Sequence, residues 1–240
     1  MDYVYVCRPG DNEELRYSIR STVKNLPEGR IWVVGGKPDW YTGDYIYVQQ
    51  TGMGHMNVWN QLNIICNTPD ISDDFVLMND DFFTIKKLDT VDYFYAGTMK
   101  EVLGFYADSE QTNYGYQRLF NKTYKYLARR NITNPLDYEL HVPMPMNKQK
   151  LLEILNNKTL HRSTYGNVYN VGGTQTYDVK VYSNTELKGK FYDLAEEDLN
   201  YLSSHDSNFN FLLDFILKDM FPDPSIYESP QLDSNQRHTD

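Results

Sequence analysis

The first eighty residues alternate short apolar runs with stripes at helical spacing. Tyr3-Val4-Tyr5-Val6-Cys7 is a β-branched and aromatic run, broken by Arg8-Pro9-Gly10-Asp11. Asn12 can then cap a helix whose first turn holds Glu13 and Glu14, favourable at the positive end of the dipole. Its apolar stripe is Leu15, Ile19, Val23 and Leu26, and Pro27 ends it. Arg30–Val34 is a second strand stopped by Gly35-Gly36, and Tyr45–Val48 a third. A helix over Asn57–Cys66 presents Val58, Leu62, Ile65 and Cys66 on one face before Pro69. Asp74–Met78 forms a fourth strand that runs straight into Asn79-Asp80-Asp81. This alternation predicts an α/β, Rossmann-like core with a largely parallel central sheet and helices on both faces. Arg8, Gly35 and Asp80 then share one sheet edge.

Beyond Phe83 the alternation blurs into a mixed C-terminal part. Tyr93–Met99 reads as a strand, and 113–131 as a helix with Tyr116, Phe120, Thr123 and Leu127 inward. That helix carries Arg118, Lys122, Lys125, Arg129 and Arg130 and no acid, a solvated face or a cradle for an anionic acceptor. Lys148–Asn156 reads as a short helix, Asp178–Tyr182 as a strand and Phe209–Met220 as a final helix. The polar stretch 229–240 reads as a disordered tail. No internal repeat or low-complexity linker divides the chain, so 1–228 reads as a single domain, with 1–83 and 84–228 as its two halves.

Composition narrows the class. The chain has 240 residues, 40% hydrophobic and 15% aromatic, enough to bury a core and unlike a disordered, collagenous or disulfide-stapled protein. Its 23 Lys+Arg against 33 Asp+Glu give −10, which disfavours general binding to phosphate backbones or anionic lipid. No segment approaches the ~20 apolar residues of a membrane span, and Met1-Asp2-Tyr3 does not open a signal peptide. Cys7 and Cys66 lie in apolar elements, as free thiols of a reducing, cytoplasmic compartment do. His55 and His161 lack zinc-site spacing.

Asp80 and Asp81 are the sharpest chemical signal. They follow an apolar strand at the edge where open α/β sheets bind ligands. Hard divalent cations such as Mg²⁺ or Mn²⁺ take one or two carboxylates plus phosphate oxygens, which suits a pyrophosphate. The competing reading is an acidic turn that only caps the next element. Arg16 either touches nucleotide or pairs with Glu13 and Glu14; Gly35 either lets a nucleotide approach or makes a turn.

Asp11–Ser21, the strand Ile31–Val34, the Pro38-Asp39-Trp40 turn and Phe75-Val76-Leu77-Met78-Asn79-Asp80-Asp81-Phe82-Phe83 together resemble the second conserved region of the Stealth family of sugar-1-phosphate transferases. His141-Val142-Pro143-Met144-Pro145-Met146 resembles the third region, and Phe221-Pro222-Asp223-Pro224-Ser225-Ile226-Tyr227-Glu228 the end of the fourth. Between them, Arg162 and Asp206 match an arginine and an Asn-Asp pair of the family. The resemblance spans roughly residues 2–228, densely over the first eighty and through short motifs after. Cys7-Arg8-Pro9-Gly10 stands where the family has a strand ending in Asp-Gly, and His205 where it has asparagine. The small size suits a pared-down relative, of the kind a phage encodes.

The resemblance implies a GT-A-type nucleotide-sugar site, with Asp80 and Asp81 holding Mg²⁺ or Mn²⁺ and the diphosphate. It gives His141 acid/base work or a phosphate contact, Arg162 phosphate charge, and Asp206 metal binding or acceptor activation. Arg8, Gly10, Arg16, Gly35 and Asn79 fall at the nucleotide-sugar edge. The implied reaction moves a sugar-1-phosphate from a UDP-sugar-type donor to an acceptor hydroxyl. Two alternatives stay open: a glycosyltransferase moving the sugar alone, to a saccharide or a modified DNA base, and a nucleotide- or carbohydrate-binding module without turnover. The released nucleotide separates the three: a monophosphate, a diphosphate, or none.

Overall fold

The computed structural model describes residues 1–52, 54–108, 114–183 and 199–229. Its central sheet has the order β3-β2-β1-β4-β7, from β1 (Asp2–Cys7), β2 (Arg30–Gly35), β3 (Asp44–Tyr47), β4 (Asp74–Asn79) and β7 (Met144–Asn147). The first four are parallel and β7 runs antiparallel to β4. The protein is thus an α/β fold with a mostly parallel sheet. Side chains of β1 alternate between its faces, as a period of two requires. Tyr3, Tyr5 and Cys7 pack with Leu15 and Ile19 of α1 (Glu13–Asn25) and with Leu26, its C-cap, on one face. On the other, Val4 and Val6 pack with Leu62 and Ile65 of α2 (Gly54–Asn67) and Leu151 of α5 (Lys148–Ile154). Burial of both faces explains why these strands are nearly continuous apolar runs.

Around this core lie β5 (Phe82–Thr84), β9 (Lys180–Val181) and β10 (Tyr201–Ser204) in a second sheet of order β5-β10-β9, and a pair of β6 (Phe94–Tyr95) with β8 (Thr174–Gln175). Helices α3 (Met99–Asp108), α4 (Tyr114–Ala128) and α6 (His161–Val168) complete it. Several sequence expectations change here. Val23 is exposed, because α1 turns Tyr17 and Arg20 toward the C-terminal segment, and Arg20 donates to Phe221 and Glu228. The strand expected over Tyr93–Met99 shortens to Phe94–Tyr95, since Met99 already opens α3. The final helix is an α turn (Phe209–Leu212), a π-helical turn (Leu213–Leu217) and a last α turn (Lys218–Met220). Helix α4 buries Phe120, Thr123 and Leu127 as its stripe predicts. Residues 230–240 of the expected tail lie outside the described residues. No helix among the described residues is long and apolar enough to cross a membrane.

Candidate functional site at the β1/β4 switch point

The chain runs outward through β1, β2 and β3, then returns beside β1 to form β4. Strand order therefore reverses between β1 and β4, and the loops after them splay apart to leave a crevice. Arg8 follows β1, and Asp80 and Asp81 follow β4. A cavity of about 340 Å³ occupies this point, and its lining includes the charged or polar Arg8, Glu14, Asn79, Asp80, Asp81 and Asp206. Neutral groups complete it: Gln50, Asn57 and Gln61, with Gly52 and Gly54. Gln50 and Gln61 both donate to the Cys7 carbonyl, at 2.6 and 2.9 Å, which fixes this amide wall to the end of β1. A second cavity, of about 410 Å³, adjoins it and shares Arg8, Glu14 and Asp206.

Local structure explains why the acids gather. Asn12 caps α1 by accepting from the Leu15 N–H at 3.0 Å, and its amide donates to Asp80 at 2.6 Å. The cap thus ties the start of α1 to the end of β4. Glu14, in the first helical turn, faces the same space. Arg8 stands among the carboxylates, donating to both oxygens of Asp206 at 2.8 and 3.1 Å and to Glu14 at 3.2 Å, with Asp80 3.8 Å away. Asp81 accepts from Lys180 at 3.1 Å and from Ser203 at 2.9 Å, and Ser204 donates to Glu14. Burial, then the charges of Asp80, Asp81 and Asp206, raise Glu14 to about 7. Asp80 is likewise pushed up by burial and by Asp81. Among the described residues, Arg8 and Lys180 form the ion pairs to Glu14, Asp80, Asp81 and Asp206, with the Arg162 charge felt at Asp81, so the four carboxylates outnumber these cations when all are ionised.

Hard carboxylate oxygens with surplus negative charge fit Mg²⁺ or Mn²⁺. Among the described residues, no three ligating groups are already gathered around one point. Arg8's guanidinium stands where such a gathering would close, so a cation entering here must displace it.

The remaining sequence-singled residues divide. His141 lies edge-on to Phe82, the residue after Asp81, with ring centroids 6.4 Å apart. Its Nδ1 is 2.8 Å from Asp178. Arg162 is buried, stacks over the same Phe82 ring at 5.2 Å, and donates to the Val142 carbonyl at 2.7 Å. Burial pulls its guanidinium down to about 10. Asp206 opens a 3₁₀ turn, Asp206–Asn208, and reaches Asp80 only through Arg8. Asn79 lines the smaller cavity. Arg16 turns elsewhere: it pairs with Glu13 and Glu228 and lies over Trp40. Gly10, Arg16, Gly35, His141 and Arg162 line neither cavity. At Gly35, with φ +122°, a side chain would run into the Gln61 amide and the Cys7 carbonyl, so its conformation serves the contact of β2 with β1 and with the Gln61 wall.

Sequence reading missed Glu14, Asp178, Lys180 and Ser203 as site residues. For Glu14 the signal was present, because a helix that follows a strand in this fold starts at the ligand edge. For the other three nothing local pointed to a partner.

No family model matches the chain, and no curated protein matches it significantly. Three-dimensional likenesses exist among solved glycosyltransferases. An active-site mutant of LgtC superposes with 14% identity over 73% of this chain and 72% of that one, TM-score 0.42. Mouse xyloside xylosyltransferase 1 gives 7% identity over 86% and 99%, TM-score 0.40. The glycosyltransferase GlyE of Streptococcus pneumoniae gives 12% over 85% and 54%, TM-score 0.32. Likeness at this level assigns no family and no reaction.

Proposed function

We propose that the chain is a nucleotide-sugar-dependent transferase that holds its donor in the β1/β4 cavity and passes a sugar-1-phosphate to an acceptor hydroxyl. The observation that carries this reading is the two-part chemistry of that cavity. Carboxylates and Arg8 meet neutral amides and glycines across about 340 Å³ at a strand-order reversal. A nucleoside diphosphate has the matching halves, a charged diphosphate and a neutral nucleoside. Asp80 and Asp81 would hold Mg²⁺ or Mn²⁺, which supplies charge neutralisation of the diphosphate. Arg8, released from Asp206 and Glu14, adds its own charge to the phosphate oxygens. The acceptor oxygen attacks the phosphorus that bears the sugar, the bond to the nucleoside monophosphate breaks, and the hydroxyl proton passes to His141.

The test is calorimetry with UDP and UDP-sugars in metal and in chelator, followed by identification of the nucleotide released on turnover. Metal-dependent binding and a released monophosphate are expected. A released diphosphate places the attack at the anomeric carbon, the glycosyltransferase alternative. Equal affinity in both buffers returns Asp80 and Asp81 to a structural acidic turn.

A further inference from the structure

Lys180 opens β9 and Asp178 lies two residues before it, and each grips a different group. Asp178 accepts from the His141 backbone N–H at 3.2 Å, and its oxygens lie 3.0 and 2.8 Å from His141 Nδ1. Lys180 donates to Asp81 at 3.1 Å. The Asp178 carboxylate also accepts from the Lys180 backbone N–H at 3.4 Å, which ties the two positions together. β9 is held in turn by β10, whose Ser203 donates to the same Asp81 oxygen. Phe82 closes the circuit, since it follows Asp81 in the chain and packs against the His141 ring. We propose that residues 178–181 are a two-pronged positioning element that holds His141 as the Nδ1–H tautomer, with Nε2 left to take the acceptor proton, in fixed register with the Asp81 carboxylate.

The chemistry follows from Asp178. Burial pushes its carboxyl up, but the hydrogen bonds from His141 outweigh this and hold it below its ordinary value. An ionised carboxylate only accepts, so the ring nitrogen facing it must carry the proton. Nε2 then holds the lone pair, as a base for a hydroxyl requires. Asp178 is a positioning residue: it acts through His141 and touches no substrate. The inference rests on the reading of His141 as the acid/base group of a transfer reaction.

The test separates the two claims. Nitrogen-15 spectra of the imidazole in the full chain, above its titration range, should show His141 protonated at Nδ1. In D178A the ring should move toward the Nε2–H form that free imidazole side chains favour. D178N, which keeps the shape should D178A fail to fold, should lower release of nucleotide from UDP-glucose or UDP-N-acetylglucosamine by about 10–100-fold, the range for an orienting partner. UDP affinity in Mn²⁺ should stay within about twofold, since Asp178 takes no part in ground-state binding. An Nε2–H ring in the unaltered chain overturns the positioning element, as does a D178N loss that appears in UDP affinity rather than in rate. An Nδ1–H ring in a chain that turns over neither donor keeps the positioning element and overturns the transfer reading.

Discussion

Removal of Arg8 is the most informative perturbation of the charge cluster. Replacing it with glutamine strips three carboxylates of one guanidinium: Glu14 and Asp80, whose side chains are 7% and 17% exposed, and the open Asp206. Charges 3.8 Å apart, the Arg8–Asp80 distance, interact by about 4 kcal/mol at an effective dielectric near 20. Arg8 is itself 54% exposed, so solvent screening brings the expected loss to about 1–2 kcal/mol at pH 8. The loss depends on pH. Glu14 titrates near 7 in the folded chain, above its ordinary value, and Asp80 is raised too. Raised carboxyls cost stability as pH climbs from the unfolded toward the folded value, and Arg8→Gln raises them further. Near pH 5 Glu14 is already protonated, its pull on Arg8 is gone, and the loss should shrink to about 0.5 kcal/mol or less. Asp206, held low by Arg8, contributes at both pH values but is open to water. Urea unfolding followed by circular dichroism at pH 5 and pH 8 measures the difference. An equal loss at both, or a larger one at pH 5, would refute the account. Millimolar magnesium should restore part of the loss at pH 8, because the vacated position suits a cation.

The Glu228 side chain is 2% exposed and is gripped by Arg16, Arg20 and the Ser225 N–H, so Glu228→Ala leaves the nearly buried Arg20 guanidinium without a carboxylate and Arg16 with Glu13 alone. It should cost about 3–5 kcal/mol in chemical denaturation, and a loss below about 1 kcal/mol would contradict that pairing. Gly35→Ala combines φ +122° with a clash against the Gln61 amide and the Cys7 carbonyl, and should destabilise far more than Gly52→Ala, where φ is +91° but the space is open. Comparable melting points for the two variants would remove the steric explanation. Burial pushes the Cys7 thiol far up and Cys66 to about 11, so a disulfide reagent at neutral pH should label both slowly until the chain unfolds. Rapid labelling of Cys7 in the native state would show that β1 opens locally.

The sequence alone determined the parallel core and the sheet edge that carries Asp80 and Asp81. Apolar runs near 3–7, 30–34 and 74–78 align as β1, β2 and β4 because a strand buried on both faces must be apolar throughout, a signal carried by each segment by itself, and the run near 45–48 aligns as the half-exposed edge strand β3. Asn12 was legible as a cap for the same local reason, and Asp80 and Asp81 fell at the predicted edge. Tertiary structure alone decided what those carboxylates face. Arg8 is 198 residues from Asp206, and Lys180 is 99 from Asp81, and neither partner leaves a periodic trace in its own segment. Arg16 and Arg20 sit within the motif-bearing helix, yet Glu228, more than 200 residues later, turns them away from the cavities. Charge pairing acts through space with no preferred spacing along the chain, whereas burial of strands and capping of helices act within a few residues. Asp178 could be placed on a strand by its alternating neighbours, but only the folded chain puts it 2.8 Å from the His141 ring.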